Sequence, residues 1–287
     1  MLEKFNLITT LYNNISKKRL SETKFCIEKN RQNILFNEYI IFLEIDLQNK
    51  ELYNTFIDKT NIKNYKNIVS MYILNIINKY NVKVYLIQYR PTYKNMVDFC
   101  NKYSNKIWFI CNSDIYFPKW NSLLLSKIRF VNFKKHLLVL TRYNIYDELS
   151  DNDKIRITGK SLVYNNVKYK LFWDKGCSSD TWIIKTPFNY KNINLNIEIG
   201  RPECDNMVNY QFSKIRNVIN PCLSLISIHK HSNWSENNYD LISFKNISFG
   251  GFKLNKITLT RRQYLIFMKQ NKLYEKFIMP CEFIIKK

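Results

Sequence analysis

A buried-looking strand that stops on a lone acid invites a chemical reading. In "KIWFICNSDIYFPKW" the run Ile107 to Cys111 is unbroken and apolar, halts at Asn112-Ser113-Asp114, and resumes with Ile115, Tyr116 and Phe117. A carboxylate at a strand end, flanked by Asn and Ser, suits a hard divalent cation. Mn²⁺ and Mg²⁺ take oxygen ligands and bridge a protein acid to a diphosphate. Two of the three histidines, His229 and His231, stand one residue apart in "ISIHKHSNW". Alternate residues of an extended segment share a face. One of the two could complete a metal shell with Asp114; on the histidines alone, His231 capping a strand or both lying at the surface is the simpler account.

Asp180 in "GCSSDTWIIKTP" separates small polar residues from the apolar Trp182-Ile183-Ile184. Asp205 follows a Gly-Arg-Pro turn in "IEIGRPECDNMVNYQF" and stands at the expected start of a helix. There a carboxylate is stabilised as the anion and can act as a base or hold a sugar hydroxyl. On position alone, capping as the helix N-cap is the simpler account of Asp205. Arg90 in "QYRPTYK" and Arg142 in "LTRYN" each follow a strand end, so both could face one crevice and pair with phosphate.

The elements that must position these groups alternate. Strands are predicted at Phe5 to Tyr12, Glu38 to Asp46, Val82 to Arg90 and Lys106 to Cys111. Helices in "KRLSETKFCIEKNRQ", "IVSMYILNIINKY" and "TYKNMVDFCNKYS" separate them. This order implies an α/β chain with a mostly parallel central sheet flanked by helices. In such sheets ligands bind at the carboxyl ends of strands, where Asp114 stands. Beyond it come a helix in "SLLLSKIRFV", a strand from Lys135 to Tyr146 and a polar excursion, "DELSDNDKIRITGKS", read as a surface loop. A short strand in "DTWIIKTP", a helix in "CDNMVNYQFSKI" and a basic, aromatic segment from Leu241 to Lys287 follow.

Composition narrows the classes. The chain has 287 residues, 46% hydrophobic and 15% aromatic, enough for a sizeable core and too apolar for a disordered chain. Its seven cysteines are odd in number with no C-x-x-C pair, which fits reduced thiols in a cytoplasmic setting. The N-terminus lacks an apolar signal core, and no apolar run approaches the ~20 residues that span a bilayer. The net charge of +22 comes from scattered Lys and Arg against 23 acids and suggests an anionic partner. No G-x-x-x-x-G-K-[ST], G-x-G-x-x-G, H-E-x-x-H or G-x-S-x-G occurs, which excludes the commonest phosphate-loop, dinucleotide, zinc-protease and serine-hydrolase readings.

Taken in order, "CNSDIYFP", Arg90 with Thr92-Tyr93, "SSDTWIIKTP", "GRPECDN" and "HKHS" resemble a GT-A type glycosyltransferase, similar to those of giant and algal DNA viruses. The resemblance runs from Phe5 to Trp234. "CNSDIYFP" looks like the DxD segment of that family, with Asn112 in place of the first acid and Asp114 matching the second. The resemblance implies a single large domain with a GT-A-like, Rossmann-like sheet. Residues 1–118 would form the nucleotide-sugar half and 119–245 the acceptor and catalytic half, with 246–287 a C-terminal extension outside the match. It implies a hexosyl- or deoxyhexosyl-transferase using a nucleoside-diphosphate-sugar, UDP-sugar favoured, a glycan acceptor, and Mn²⁺ or Mg²⁺. Asp114 and a late histidine, His231 before His229, would hold the metal. Asp205 is the first candidate base and Asp180 the second. Thr10, Tyr12, Arg90, Asn112, Ser113, Asp114 and Arg142 would line the donor site. The competing expectations are a basic nucleic-acid-binding protein, resting on the charge and aromatics, and an inactive glycan-binding relative, resting on Asn112.

Overall fold

The structure, a computed structural model, describes residues 5–12, 17–33, 35–45, 50–148, 154, 159–164, 166–172, 178–201, 203–230, 241–244, 247–249, 252–254, 257–260, 279 and 281–282. The first half alternates as the apolar pattern requires, except for the two-residue β3, which the pattern did not signal and which pairs antiparallel to β4. β1 (Phe5–Tyr12), α1 (Lys17–Gln32), β2 (Phe36–Glu44), β3 (Phe56–Ile57), α2 (Met71–Tyr80), β4 (Lys83–Ile87), α3 (Tyr93–Asn101) and β5 (Ile107–Cys111) follow in turn. β6 (Ile115–Tyr116), α4 (Ser122–Arg129), β7 (His136–Leu140), β8 (Arg142–Ile145), β9 (Ser161–Tyr164), β10 (Val167–Leu171) and β11 (Thr181–Lys185) come next. They lead to α5 (Cys204–Ser213), β12 (Asn217–Ile219) and β13 (Ser227–His229).

Local chemistry fixes the helix ends. The Ser70 side chain accepts from Ile73 N–H to open α2, and Asn81, at φ 51°, closes it in the left-handed region that Asn tolerates. Thr92 and Asn95 form a reciprocal capping box at the start of α3. These caps stop each helix where the chain must turn back to the sheet.

The main sheet has eight strands in the order β12-β7-β11-β5-β1-β2-β4-β3. β1, β2, β4 and β5 run parallel to their neighbours among themselves, as does β12 to β7. β11 runs antiparallel between β5 and β7. Every residue of β5 is buried, as expected of a central strand covered on both faces. One apolar layer joins the sheet to Cys26 and Ile27 of α1, the inner face of α2, and Ile128 of α4. The other joins it to Tyr93, Met96 and Val97 of α3 and to Met207, Val208 and Phe212 of α5. The expected α/β class, with helices on both faces of a largely parallel sheet, is observed.

A second, five-stranded sheet, β6-β13-β8-β10-β9, was not visible in the apolar pattern. Its strands are short, and β9 and β10 form a hairpin at the end of the polar stretch read as a loop. The basic, aromatic segment from Leu241 onward contains strands: β14 (Leu241–Phe244) pairs with β17 (Ile257–Thr260), and β15 (Ile247–Phe249) with β16 (Phe252–Leu254). Further on, Cys281 N–H donates to the Asn220 carbonyl beside β12.

Candidate functional site

The site forms where β5 and its neighbours end. After Cys111 the backbone turns tightly, with Ile115 N–H bonded to the Asn112 carbonyl. β6 then pairs with β13, bringing Ile115 opposite His229. Asp114 sits in the turn between the two sheets, buried to 6% exposure. Ile115, Tyr116 and Phe117 are buried beyond it and hold the turn from below. That is why an acid interrupts an otherwise apolar run: the chain changes sheets there. Ser113 lies in the same turn.

Asp114 is surrounded by cationic and hydrogen-bonding groups. Arg19 Nη2 donates to its Oδ2 at 2.8 Å, and Arg19 Nη1 reaches Glu22 at 3.0 Å. His229 Nε2 stands 3.1 Å from the same Oδ2, while its Nδ1 faces Asn144 Oδ1 at 3.0 Å. Burial alone would raise the Asp114 pKa, but His229 and Arg19 outweigh it and hold the carboxyl well below its usual range. Burial lowers the His229 pKa, and the Arg142 charge lowers it further, against the pull of Asp114.

This leaves a proton question. A neutral imidazole carries one N–H, yet His229 faces acceptor oxygens on both sides. Its lowered pKa weighs against the doubly protonated form. The remaining solutions are an Asn144 amide turned end for end, or a cation shared by Nε2 and Asp114. Asn144 Nδ2 is buried with no partner among the described residues, so the first solution would satisfy it. The 3.1 Å separation suits a direct hydrogen bond as well as two ligands of one cation. Asp114 and His229 are the side chains in this corner that could hold a divalent cation. No group of three or more metal-ligating side chains occurs among the described residues. His231, the preferred histidine of the sequence reading, lies outside them.

The second acid cluster is organised differently. Asp180 sits at the start of β11, which, running antiparallel, begins where its neighbours end. Its Oδ1 accepts from Asn112 Nδ2 at 2.8 Å and Arg142 Nη1 at 2.9 Å, and its Oδ2 accepts from Ser178 Oγ at 2.7 Å. Asn112 therefore serves as a donor here, where an acid in its place would face the Asp180 carboxylate. Arg142 also stacks on Phe172, its guanidinium carbon 4.5 Å from the ring centre.

Asp205 is not the N-cap that its position suggested. α5 opens on Glu203, which takes a left-handed conformation at φ 62° with no side-chain cap bond. Asp205 lies inside the first turn, and its Oδ2 instead accepts the Ser179 backbone N–H at 2.9 Å. Burial and the nearby Asp180 charge push its pKa up to about 7. A buried network carries the alignment: Trp182 Nε1 donates to Asn209 Oδ1, Asn209 Nδ2 donates to Ser179 Oγ, and the Trp182 ring packs edge-on against Tyr93 at 4.7 Å.

The structure brings Asp114, His229, Asn112, Asp180, Arg142 and Asp205 into one linked set. Arg90 contacts a different carboxylate from Arg142. Arg90 Nε lies 3.9 Å from Glu44 at the end of β2, beside the Arg201–Glu198 pair at 2.7 Å. Burial raises the Glu44 pKa, with Arg90 opposing and Glu198 reinforcing the shift. Thr10 is buried near the end of β1, next to Thr9, whose hydroxyl donates to the Cys111 carbonyl. Tyr12 ends β1 opposite Glu44, and its side chain is outside the described residues. Arg19 and Asn144, central to the geometry, were not singled out by the sequence. The signal for Arg19 was Lys17-Lys18-Arg19 opening a helix with no acid in its first turn, against the helix dipole.

No protein-family model matches the chain, and neither does any curated protein sequence. Among solved structures, S. aureus TarS is 13% identical with a TM-score of 0.42 and covers 80% of this chain. The match spans 37% of the TarS chain, and 58% of a shorter TarS structure, residues 1-349. CMP:2-keto-3-deoxy-manno-octonic acid synthetase complexed with CTP is 9% identical with a TM-score of 0.40, covering 94% of this chain and 98% of that one. UDP-glucose pyrophosphorylase from Acinetobacter baumanii is 8% identical with a TM-score of 0.32, covering 94% and 92%.

Proposed function

We propose that the chain is a metal-dependent glycosyltransferase, moving a hexose or deoxyhexose from a nucleoside-diphosphate-sugar, UDP-sugar favoured, to a glycan hydroxyl. The observation that carries this reading is two unlike acid sites linked through Arg142 and Asp180: Asp114 with His229, suited to a cation, and Asp205, whose pKa is pushed up to about 7. The order of motifs resembling GT-A enzymes agrees with it.

Asp114 and His229 would hold Mn²⁺ or Mg²⁺ against the donor diphosphate. Bound there, the ion supplies Lewis-acid stabilisation of the charge that develops on the departing nucleotide. Arg19, already on Asp114, adds a second positive charge to the same corner. Asp205 can take the acceptor proton, because a base is most effective when its pKa lies near the working pH. Asp180 is held by three donors and serves better to orient hydroxyl groups than to exchange protons. The Ser179 N–H fixes the Asp205 carboxylate without lowering its basicity to that of a free acid.

The test is a thermal-shift series with UDP-, GDP- and dTDP-sugars, with and without Mn²⁺. A ligand that binds only the native state raises the melting temperature by mass action. A nucleotide-selective, Mn²⁺-dependent rise that disappears in Asp114→Asn is expected. No rise with any donor would sink the reading.

A further inference from the structure

The second sheet has one face in the core and one face turned to the site. On the core side lie Tyr143, Tyr169, Leu171 and Ile228. Residues directly opposite across a ladder share a face. His229 is opposite Asn144, and Asn144 is opposite Lys170. Lys168, two residues along β10, points the same way and is opposite Val163 on the outermost strand. One continuous face therefore runs from His229, through Arg142 and Asn144, to Lys170 and Lys168, and ends at Val163, which is 72% exposed. With strands about 4.8 Å apart, the β10 lysines lie only about 10 Å from β13.

At the outer end of this face Lys168 and Lys170 share one aromatic ring. Lys168 Nζ lies 4.4 Å and Lys170 Nζ 5.7 Å from the centre of the Tyr146 ring, and Lys154 Nζ lies 5.6 Å from it. Among the described residues neither Lys168 nor Lys170 has a carboxylate within ion-pair distance, and nearby Glu148 is engaged by Lys230. Gathering ammonium groups around one ring raises their mutual repulsion, which an incoming anion relieves.

We propose that this face is the acceptor track of the enzyme and that the acceptor is a polyanionic glycan, its recurring phosphate or carboxylate groups held by Lys168 and Lys170. The proposal rests on the glycosyltransferase reading and adds the acceptor class to it. The alignment of the strip with Asn144 and His229 distinguishes it from the charge spread over the rest of this +22 chain. A track that starts beside the donor site delivers a hydroxyl to it while anchoring the chain farther out.

The experiment uses the full chain and labelled inorganic polyphosphate, polygalacturonate, neutral dextran and oligo-dT, with binding followed by fluorescence anisotropy. Lys168→Gln/Lys170→Gln is compared with a control, Lys63→Gln/Lys66→Gln, at exposed positions far along the chain. At least one anionic polymer is expected to bind where dextran does not. The track variant should weaken that binding at least about tenfold and the control less than about twofold. The tighter of the two polymers tells whether phosphate or carboxylate is the natural group. Equal losses in both variants would reduce the effect to diffuse charge and overturn the proposal. So would oligo-dT binding more tightly than either polymer through the same lysines. The donor thermal shift of the unaltered chain is read in parallel. Its absence alongside lysine-specific polymer binding would refute the transferase reading, and the acceptor role with it, while leaving an anion-binding face.

Discussion

The two acids at the heart of the site are driven in opposite directions, Asp114 buried in its turn and Asp205 half-buried at the start of α5. Asp114 sits among Arg19 and His229, and its carboxyl is held well below the ordinary range. Asp205 has Asp180 as its charged neighbour, and its pKa is pushed up to about 7. Burial acts the same way on both; the difference is the sign of the nearest charge. One corner is thus prepared to receive positive charge and the other to receive a proton.

The contrast has consequences for stability. A depressed pKa contributes stability above the unfolded value, lost as pH falls through the folded one; a raised pKa contributes stability at low pH, lost as pH rises through about 7. Substituting the two acids should therefore move stability oppositely. Asp114→Asn removes the anion that Arg19 and His229 share and should cost about 3 kcal/mol in urea unfolding at neutral pH. It should also lower transfer activity by about a thousandfold, the equivalent of several kcal/mol of charge stabilisation. A variant with normal stability and full activity would erase the distinction between the corners.

Asp205→Asn should lower kcat/KM by about a hundredfold or more. At pH 8 it should nevertheless raise the melting temperature by roughly 2 °C, because it relieves repulsion from Asp180. Loss of both activity and stability would mean that Asp205 is chiefly a structural acceptor for Ser179. On the glycosyltransferase reading, the acid limb of the kcat/KM profile of the unaltered chain should have its midpoint at about 7, the pKa of Asp205. A midpoint near 4 would remove Asp205 from the proton transfer.

A subtler change sharpens the comparison further. Asn112→Asp restores the acid that the DxD pattern carries, but here it replaces an amide donor with a carboxylate facing Asp180. It should destabilise by about 2 kcal/mol at pH 8 and less at pH 5, followed by urea unfolding at the two pH values. Equal stability at both would show that the Asn112–Asp180 contact is not a paired hydrogen bond.

Much of this was legible in the chain. The alternation up to β5 followed from apolar runs and caps, because those strands are largely buried and α2 and α3 each turn an apolar face to the sheet. Asp114 and Asp180 stood out as acids breaking apolar sequence. The second sheet did not, because strands as short as Ile115–Tyr116 and Ser227–His229 carry no period of their own and exist through their partners. Arg19 was hidden for a related reason: Asp114, the site carboxylate it holds, lies 95 residues away. Asp205 was misplaced by two positions because Glu203 adopts a backbone conformation uncommon for that residue, carrying the helix start with it.

The antiparallel strand β11 has a further consequence, for the order in which the molecule can assemble. Until Thr181–Lys185 has been synthesised, β5 has β1 on one side and an open edge on the other, and it is an apolar strand with nothing to blunt that edge. If the earlier strands pair before β11 arrives, β5 offers that edge to other chains. The chain must keep that edge unpaired while some seventy more residues emerge, a contact separation that slows closure and invites association between nascent chains. Production of this protein should therefore be limited by what happens to β5 during synthesis, and slower translation through residues 119–180 should lower its soluble yield.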